Sequence, residues 1–219
     1  MTIDTQPYKH FSFDLWLTLI RSNADYKRKR DELFQSFFAI NQDFDQVQKA
    51  VRYYDVLCNK ISENTGLHIH RHTIYLLILS KLEINIANIS KDCMEDFCQQ
   101  TEELFLNFLP QLMDENIHQI LQQIKTEGKT ANILSNTGFI HGETLRKVLE
   151  HYELAPYFTF QIYSDETGFS KPNQKMFDIV HQELNLIKPI KKTDIVHIGD
   201  NKKADFEGAL NAGFKAILI

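Results

Sequence analysis

Short apolar runs alternate with helical patterns along much of the chain. The runs rich in β-branched and aromatic residues predict five strands, at His10–Asp14, Thr130–Ser135, Phe158–Tyr163, Asp194–Ile198 and Phe214–Ile219. Helical patterns separate the last four runs. Strands joined by helices predict a parallel sheet covered on both faces. The predicted fold class is therefore α/β, a Rossmann-like parallel sheet with helices on both faces.

The segment from Asp114 to Thr126 illustrates these connecting helices. Its apolar residues follow the i, i+3, i+4, i+7 spacing of one helical stripe, at Ile117, Ile120, Leu121 and Ile124. We predict that Asp114 caps the start of this helix and that Gly128 ends it.

A different pattern occupies the region from about residue 23 to residue 108, where helical stripes replace strand patterns. One stripe contains Phe44, Val47, Val51, Tyr54, Cys58 and Ile61. A second contains Phe97, Thr101, Leu104, Phe105 and Phe108. We predict an all-helical cap domain over 23–108, inserted into a Rossmann-like core formed by 1–22 and 109–219, with the chain returning near Pro110.

Composition and charge narrow the function. The 219 residues are 43% hydrophobic and 24% charged, which excludes a disordered or collagen-like chain. Because 24 basic residues face 29 acidic ones, the net charge of −5 favours no binding to nucleic acid or to an anionic membrane. A small-molecule substrate or a protein partner remains, and the oligomeric state is open.

The cysteines and the apolar segments bear on the cellular environment. Cys58, Cys93 and Cys98 include no CxxC pair, so neither a disulfide framework nor a thiolate zinc site is expected. They are predicted to be buried thiols in a reducing cytoplasm. No stretch approaches the roughly 18 apolar residues of a membrane helix, and the opening residues contain no signal-like apolar run. A cytoplasmic protein is expected.

Polar residues follow the predicted strands where the strands end. In chain order they are Asp14, Ser135, Asn136, Lys171, Asp200 and Asp205. The carboxyl ends of parallel strands form one edge of the sheet, which is where ligands of open α/β sheets bind. The sequence therefore predicts a functional site at this edge.

The charges at this edge require a cation. Asp14, Asp200 and Asp205 bring three negative charges together, and each pair at 4 Å costs about 4 kcal/mol at an effective dielectric constant near 20. Lys171 supplies one positive charge and a divalent ion supplies two more. Hard oxygen ligands with an open coordination position suit Mg²⁺.

The order and context of these motifs resemble the haloacid dehalogenase superfamily of hydrolases. The resemblance covers Phe11–Ile20 and Asp114–Ile219, and its most specific parts are Ser164–Pro172 and Gly199–Asp205. The helical insertion matches in position and type only. The resemblance implies a Mg²⁺-dependent hydrolase, expected to be a phosphatase on a small phosphorylated metabolite.

The family pattern also implies roles for individual residues. Asp14 would attack phosphorus and become an aspartyl phosphate. The Asp14 carboxylate, the main-chain carbonyl of Trp16 and Asp200 would bind Mg²⁺, with Asp205 acting close by or through water.

The remaining matched residues would handle the phosphoryl group. Ser135 and the Asn136 amide would hold its oxygens, and Lys171 would offset the charge on the phosphate and on the nucleophile. Thr18 would orient the loop that follows the nucleophile.

One residue departs from the phosphatase pattern. Phosphatases of this superfamily usually have a second Asp two residues after the nucleophile, acting as general acid and then as general base, and here that residue is Trp16. General acid–base assistance contributes roughly 10²–10⁴ in rate. Its loss slows the cleavage of substrates with poor leaving groups, such as sugar alkoxides, and matters little for acyl phosphates or halides. Trp16 itself fits either a hydrophobic lid contact or a wall of the substrate site.

Two other functions are compatible with Trp16. A 2-haloacid dehalogenase needs no metal and also lacks Asp at this position, although its fourth motif has Ser-Ser-Asn where this chain has Ile198-Gly199-Asp200. A catalytically weak protein that binds a phosphorylated ligand would belong to a different functional class.

Two further patterns are expected to be surface features. The histidines His68, His70 and His72 alternate, but no carboxylate or cysteine nearby in the sequence completes a metal site, so we predict a solvated loop. The basic run Lys27–Arg30 would cover every side of a helix. A solvated surface is the expectation there, with contact to an anionic substrate as the alternative.

Overall fold

The computed structural model describes residues 3–219, so the first two residues of the predicted core segment 1–22 lie outside it. The strands are β1 (His10–Phe13), β2 (Ile20–Arg21), β3 (Gln111–Leu112), β4 (Thr130–Ser135), β5 (Phe158–Tyr163), β6 (Ile195–Gly199) and β7 (Lys215–Leu218). Five form a parallel sheet in the order β5-β4-β1-β6-β7. The predicted α/β class and all five predicted strands are confirmed, within one residue at the ends of most strands.

The α-helices of the described chain fall into two groups. Those of the sheet domain are α5 (Ile117–Thr126), α6 (Gly142–His151), α7 (Ser164–Thr167), α8 (Gln174–Ile187) and α9 (Gly208–Asn211), with a π-helical turn at Lys202–Glu207. Those between β2 and β3 are α1 (Ala24–Phe37), α2 (Phe44–Thr65), α3 (Arg71–Lys81) and α4 (Lys91–Asn107). We call this second group the helical insert.

Strand β1 shows how the sheet separates apolar from polar side chains. Phe11 and Phe13 lie on one face, in a core shared with α5 and α6. His10 and Ser12 alternate with them and point to the opposite face, as the period of a strand requires. There His10 Nε2 lies 2.8 Å from Asn132 Oδ1, and both side chains are completely buried.

The helical insert has its own aromatic core. Phe34, Tyr75 and Phe97 pack together, with ring centroids 4.8–5.6 Å apart. Phe139, from the loop after β4, joins this cluster, with its ring centroid 4.8 Å from that of Tyr75. The sheet domain therefore contributes a side chain to the core of the insert.

Two helix predictions need correction. Helix α5 begins at Ile117 rather than directly after Asp114, because the Asp114 carboxylate accepts the N–H of Asn116 at 2.7 Å and forms a turn. Ile61 is 39% exposed although it lies on the predicted buried stripe. Helix α2 has 22 residues and α3 has 11, so the end of α2 extends beyond the core that its periodicity predicts.

The chain enters and leaves the insert side by side. Strands β2 and β3 pair antiparallel, Ile20 with Leu112, which brings the two connections together. The predicted return near Pro110 agrees with this position.

Cys58 and Cys98 are buried thiols as predicted, and Cys93 is only partly buried. Over residues 3–219, no helix combines the length and the apolar character that crossing a membrane requires.

Candidate active site

The predicted polar residues meet at one edge of the sheet. Asp14 directly follows β1, Ser135 ends β4 and Asp200 directly follows β6. These three strands are neighbours in the sheet, so their carboxyl ends lie side by side. Lys171 reaches the same place from the loop after α7.

Lys171 links two carboxylates at the centre of the site. Its ammonium group lies 2.8 Å from Asp14 Oδ1 and 2.6 Å from Asp205 Oδ1, and its side chain is 1% exposed. Burial alone would lower the pKa of Lys171, but the two carboxylates outweigh that effect and raise it. Lys171 therefore stays positively charged.

Both carboxylate oxygens of Asp205 have hydrogen-bond partners. Its Oδ1 also lies 3.1 Å from His197 Nε2, and its Oδ2 accepts the main-chain N–H of Asn201 at 2.9 Å. Burial would raise the pKa of Asp205, but Lys171 and His197 hold it below its usual range. A Cβ at Gly199 would lie 2.3 Å from this carboxylate, so only glycine permits the approach.

Asp14 has further partners in the loops around it. Ser135 Oγ donates to Asp14 Oδ1 at 3.1 Å, and Thr18 Oγ1 donates to Asp14 Oδ2 at 3.3 Å. Burial raises the pKa of Asp14 to about 6, partly offset by Lys171. The carboxylate is thus oriented by two hydroxyl groups and one ammonium group.

Asn136 couples two loops of the site. Its side-chain Nδ2 donates to the Lys171 carbonyl at 3.0 Å, and its Oδ1 accepts the Lys171 N–H at 2.7 Å. Its side-chain amide is therefore committed to positioning Lys171. The main-chain N–H of Asn136 takes no part in this pairing.

The residues present fit a divalent cation. Asp14, Asp200 and Asp205 offer carboxylate oxygens that all lie within 4.8 Å of one another. Within residues 3–219, this is the one cluster of three or more converging acidic, histidine or cysteine ligand atoms. A donor set made of oxygens alone favours Mg²⁺ over softer metals. Burial and the nearby Asp205 charge raise the pKa of Asp200, which is the electrostatic strain that a cation would relieve.

The loop after Asp14 carries the residue that departs from the phosphatase pattern. Trp16 is partly buried, lines the cleft and packs with its ring centroid 6.0 Å from that of Phe105 in the insert. The next residue, Leu17, has a φ of +58°, a conformation that non-glycine residues adopt rarely. Trp16 thus contacts the insert and the cleft at once.

A cleft of about 290 Å³ lies between the sheet edge and the helical insert. The insert lines it with side chains from α1 and α2, namely Tyr26, Lys27, Arg30, Asp55, Asn59, Ser62 and Glu63. Glu63 also bonds across the cleft, accepting from Asn201 Nδ2 at 2.5 Å.

The predicted solvated basic run is correct for three of its four residues. Lys27, Arg28 and Lys29 are exposed, but Arg30 is 8% exposed and its guanidinium group pairs with Asp31 at 2.8 Å. Arg30 shares a helix face with the buried Tyr26, four residues earlier. Its burial follows from the helical period, which a run of like charges conceals.

The predicted solvated histidine loop is only partly correct, because His70 is exposed whereas His68 and His72 are partly buried. His68 Nδ1 lies 3.0 Å from Ser164 Oγ, and His70 caps the start of α3. The loop packs on the sheet domain, where His141 lies with its ring centroid 5.4 Å from that of His70. These residues are far apart in sequence, so local spacing gave no sign of their contact.

Two functional positions carried no sequence signal. His197 lies inside β6, completely buried, with Nδ1 3.0 Å from Ser12 Oγ and Nε2 facing Asp205. In the sequence, His197 appears only as a polar residue within an apolar strand. Phe139 reads as an ordinary apolar loop residue, and its contact with the insert depends on tertiary structure alone.

Comparison with known proteins places this site in a family. The family model described as haloacid dehalogenase-like hydrolase matches residues 35–219. The pyrimidine 5'-nucleotidase YjjG of Escherichia coli is 34% identical over 65 residues, which is 30% of this chain and 28% of that protein's length.

Solved structures share the fold over most of the chain. YfnB of Bacillus subtilis, named as a HAD hydrolase and solved with magnesium, is 19% identical with a TM-score of 0.70, covering 97% of this chain and 88% of that one. A protein of Haemophilus somnus predicted to be a phosphoglycolate phosphatase is 14% identical with a TM-score of 0.68, covering 98% of this chain and 86% of that one. L-2-haloacid dehalogenase of Xanthobacter autotrophicus is 15% identical with a TM-score of 0.61, covering 97% of this chain and 77% of that one. The matched family model, with the acid and lysine motifs at the sheet edge, shows that this chain belongs to the haloacid dehalogenase-like hydrolases.

Proposed function

We propose that this hydrolase is a Mg²⁺-dependent phosphatase that acts on a small phosphorylated metabolite through an aspartyl-phosphate intermediate. The observation that carries the proposal is the bridge from Lys171 to Asp14 and Asp205, with Asp200 within reach of the same point. One lysine cannot neutralise three carboxylates, so the site is built for a further cation.

Asp14 and Asp200 are the residues that would hold Mg²⁺, together with the Trp16 carbonyl. The oxygens of Asp205 already have three protein donors, so its role is to fix Lys171 and the Asn201 turn, close to the cation or through a water. When bound, Mg²⁺ supplies electrostatic stabilisation of a phosphoryl group and of the attacking carboxylate.

The chain's own residues account for both displacement steps. Asp14 forms a bond to phosphorus while the bond to the leaving oxygen breaks, and that oxygen departs with the electron pair. Water then attacks phosphorus, the bond from phosphorus to the Asp14 oxygen breaks, and the Asp14 carboxylate is restored while both protons of the water leave on the released dihydrogen phosphate. Lys171, Ser135 Oγ and the Asn136 N–H hold the phosphoryl oxygens, and Thr18 keeps Asp14 oriented.

Trp16 sets the expected leaving-group preference. Without a carboxylic acid at this position, a leaving alkoxide receives no proton from the loop after the nucleophile. The missing assistance amounts to roughly 10²–10⁴ in rate, or about 3–5 kcal/mol. We propose that acyl and aryl phosphates are hydrolysed better than alkyl phosphates.

The relatives support the phosphatase proposal without deciding it. A nucleotidase and a predicted phosphoglycolate phosphatase are among the similar proteins, and one neighbouring structure holds magnesium. Haloacid dehalogenases share the fold equally, and Trp16 is compatible with that chemistry. Asp200 favours the metal-dependent alternative, because it adds a carboxylate that a metal-free reaction does not need.

A substrate screen with and without Mg²⁺ tests the proposal. Phosphate release from acetyl phosphate and 4-nitrophenyl phosphate is expected, and EDTA should abolish it. Halide release from 2-haloacids in EDTA would replace the proposal with a dehalogenase. Tight binding of phosphorylated ligands without turnover of any substrate would identify a binding protein instead.

A further inference from the structure

Three buried residues that line the cleft take no part in the proposed chemistry. Tyr26 and Arg30 come from α1 of the helical insert, and Phe139 comes from the loop after β4. Tyr26 is 3% exposed and Arg30 is 8% exposed. We call this place, defined by Tyr26, Arg30 and Phe139, the inner pocket.

The guanidinium group of Arg30 is fixed in position but not saturated. Its Nε and Nη2 donate to Asp31 Oδ1 at 2.9 and 2.8 Å, and its Cζ lies 4.7 Å from the ring centroid of Phe139. In the part of the chain that the structure describes, Nη1 has no hydrogen-bond partner. Burial opposes the charge of Arg30, but Asp31 outweighs it and raises the pKa, so the group stays charged.

Tyr26 offers a second donor beside Arg30. Its hydroxyl group is buried and has no hydrogen-bond partner among the described residues, and Arg30 Cζ lies 6.0 Å from its ring centroid. The hydroxyl group of the neighbouring Tyr75 is also buried and unpartnered. An unsatisfied buried hydroxyl group is destabilising, by about 1–3 kcal/mol in mutational data. A ligand that brings an acceptor would remove that cost.

Several charged side chains lie around the inner pocket. Lys27 and Arg30 supply two positive charges, and Asp31 supplies one negative charge. Asp55 also lines the cleft, but Arg52 pairs with it at 3.2 Å. Glu63 lines the cleft as well, so the positive and negative charges balance in number. The chemistry of the acceptor therefore follows from the donors, because the free Nη1 of Arg30 and the Tyr26 hydroxyl group are two donors that match the two oxygens of a carboxylate.

We propose that Arg30 and Tyr26 bind a carboxylate on the organic part of the substrate, so that this enzyme acts on small phosphorylated carboxylic acids. The inference rests on the proposed phosphatase function, because it places the phosphoryl group at Asp14 and the carboxylate in the inner pocket of the same cleft. A cleft of about 290 Å³ lies at the lower end of the range for drug-sized ligands, about 300–1,000 Å³, which suits an acid of a few carbon atoms.

The test compares two alkyl phosphates that differ in the carboxylate, phosphoglycolate and 2-hydroxyethyl phosphate. For Tyr26→Phe, which removes only the hydroxyl group, kcat/KM for phosphoglycolate should fall about 3- to 10-fold. For Arg30→Met it should fall about 10- to 100-fold, since charged hydrogen bonds are stronger. On 2-hydroxyethyl phosphate, which lacks the carboxylate, both variants should lose much less kcat/KM than on phosphoglycolate. Arg28→Met, an exposed arginine on the same helix, is the control.

A binding experiment separates recognition from turnover. Phosphonoacetate carries both anionic groups and cannot be hydrolysed at a P–O ester bond, whereas ethylphosphonate lacks the carboxylate. Calorimetry with wild type should show at least 10-fold tighter binding of phosphonoacetate, and Tyr26→Phe should reduce that ratio.

The outcomes distinguish this inference from the proposed function. Equal turnover of both alkyl phosphates by wild type, or equal loss on both in Arg30→Met, would overturn the carboxylate site while the phosphatase stands. Preference for ethane-1,2-diyl bisphosphate over phosphoglycolate would also overturn it. Release of phosphate from no ester or acyl phosphate would refute the proposed function itself, and equal binding of the two phosphonates would then refute the inference separately.

Discussion

The two walls of the cleft are built differently. On the sheet side, Asp14, Lys171 and Asp205 are buried and bonded to one another, so each side chain is held by its neighbours. On the insert side, Lys27 and Asn59 are exposed, and within residues 3–219 neither the Tyr26 hydroxyl group nor Arg30 Nη1 has a hydrogen-bond partner. The sheet wall is preorganised for one reaction, whereas the insert wall presents groups that a ligand could satisfy.

This difference separates chemistry from recognition. Preorganised charges lower the barrier of a reaction, and they must be fixed by other protein groups to do so. Residues that recognise a substrate complete their bonding only when the substrate arrives. We therefore expect substitutions in the sheet wall to abolish turnover and substitutions in the insert wall to change substrate preference.

The largest effect is expected from Asp14→Asn. It removes the nucleophile while Lys171 keeps its partner Asp205, so the fold should be retained. Turnover of acetyl phosphate should fall about 10⁴- to 10⁶-fold, as for other nucleophile deletions. Asp45→Asn, which changes an exposed carboxylate of the insert, is the matched control. Retained activity without deamidation to Asp would contradict the role of Asp14.

The next effect concerns the proposed independence of the two regions. Val51 is 1% exposed in the insert, so Val51→Asp buries an unpaired charge and should cost more than about 3 kcal/mol. Hydrogen exchange should show lost protection in α1–α4 and retained protection in the sheet. Val56→Asp, on the same helix at 47% exposure, should change little. Equal loss across both regions would show that the division into 1–22 with 109–219 and 23–108 is wrong.

A smaller effect is expected where the walls meet at Trp16. Trp16→Asp should raise turnover of alkyl phosphates relative to aryl phosphates, with an upper bound of roughly 10²–10⁴. The gain should fall short of this bound because the loop is shaped around an indole packed on Phe105. Trp16→Asn, which adds a polar group without an acid, is the control. Equal wild-type rates on alkyl and acyl phosphates would show that another residue donates the proton.

The smallest effect concerns stability at the junction between the insert and the sheet domain. Burial, with Arg71, His70 and His68 nearby and Asp165 opposing them, lowers the pKa of His141 to about 4 from 6.5. Because the unfolded state takes up the proton first, the stability contributed by neutral His141 is complete above pH 6.5 and is lost as the pH falls toward 4.

Urea unfolding of His141→Asn at several pH values measures this contribution. Between pH 6.5 and 4, the free energy of unfolding of the variant should fall by about 1–2 kcal/mol less than that of wild type, allowing for partial solvent screening. His151→Asn, at the exposed end of α6, should follow wild type. Parallel curves for His141→Asn and wild type would contradict the lowered pKa.

The sheet wall was predictable from the sequence because Asp14 and Asp200 directly follow strands, and Lys171 and Asp205 lie in recognisable motifs further along the chain. Strand patterns and the order of Asp14, Lys171 and Asp205 locate the site before any contact is known. The insert wall was not predictable in the same way, because the helical period identifies a buried face but not what that face meets. Arg30 and Phe139 illustrate this limit, since both depend on how the insert packs against the loop after β4.

Side chains that support the site from inside the sheet were equally hidden. His197 has no motif, and its function follows only from its distances to Ser12 and Asp205. The side chain of Asn136 binds the main chain of Lys171, a contact that the sequence did not indicate, and the predicted role of the Asn136 amide at the phosphoryl group stays a prediction. Such supporting contacts join residues far apart in sequence, and local pattern carries no information on them.

The central claim is that Asp14 accepts a phosphoryl group, and acid-quench trapping tests it most directly. Wild-type protein is mixed with acetyl phosphate and Mg²⁺, quenched in acid within the first turnover, digested and analysed by mass spectrometry. The peptide containing Asp14 should gain the mass of one phosphoryl group, and Asp14→Asn or EDTA should remove the gain. Phosphate released at the wild-type rate from a protein whose Asp14 peptide never gains this mass would contradict the account.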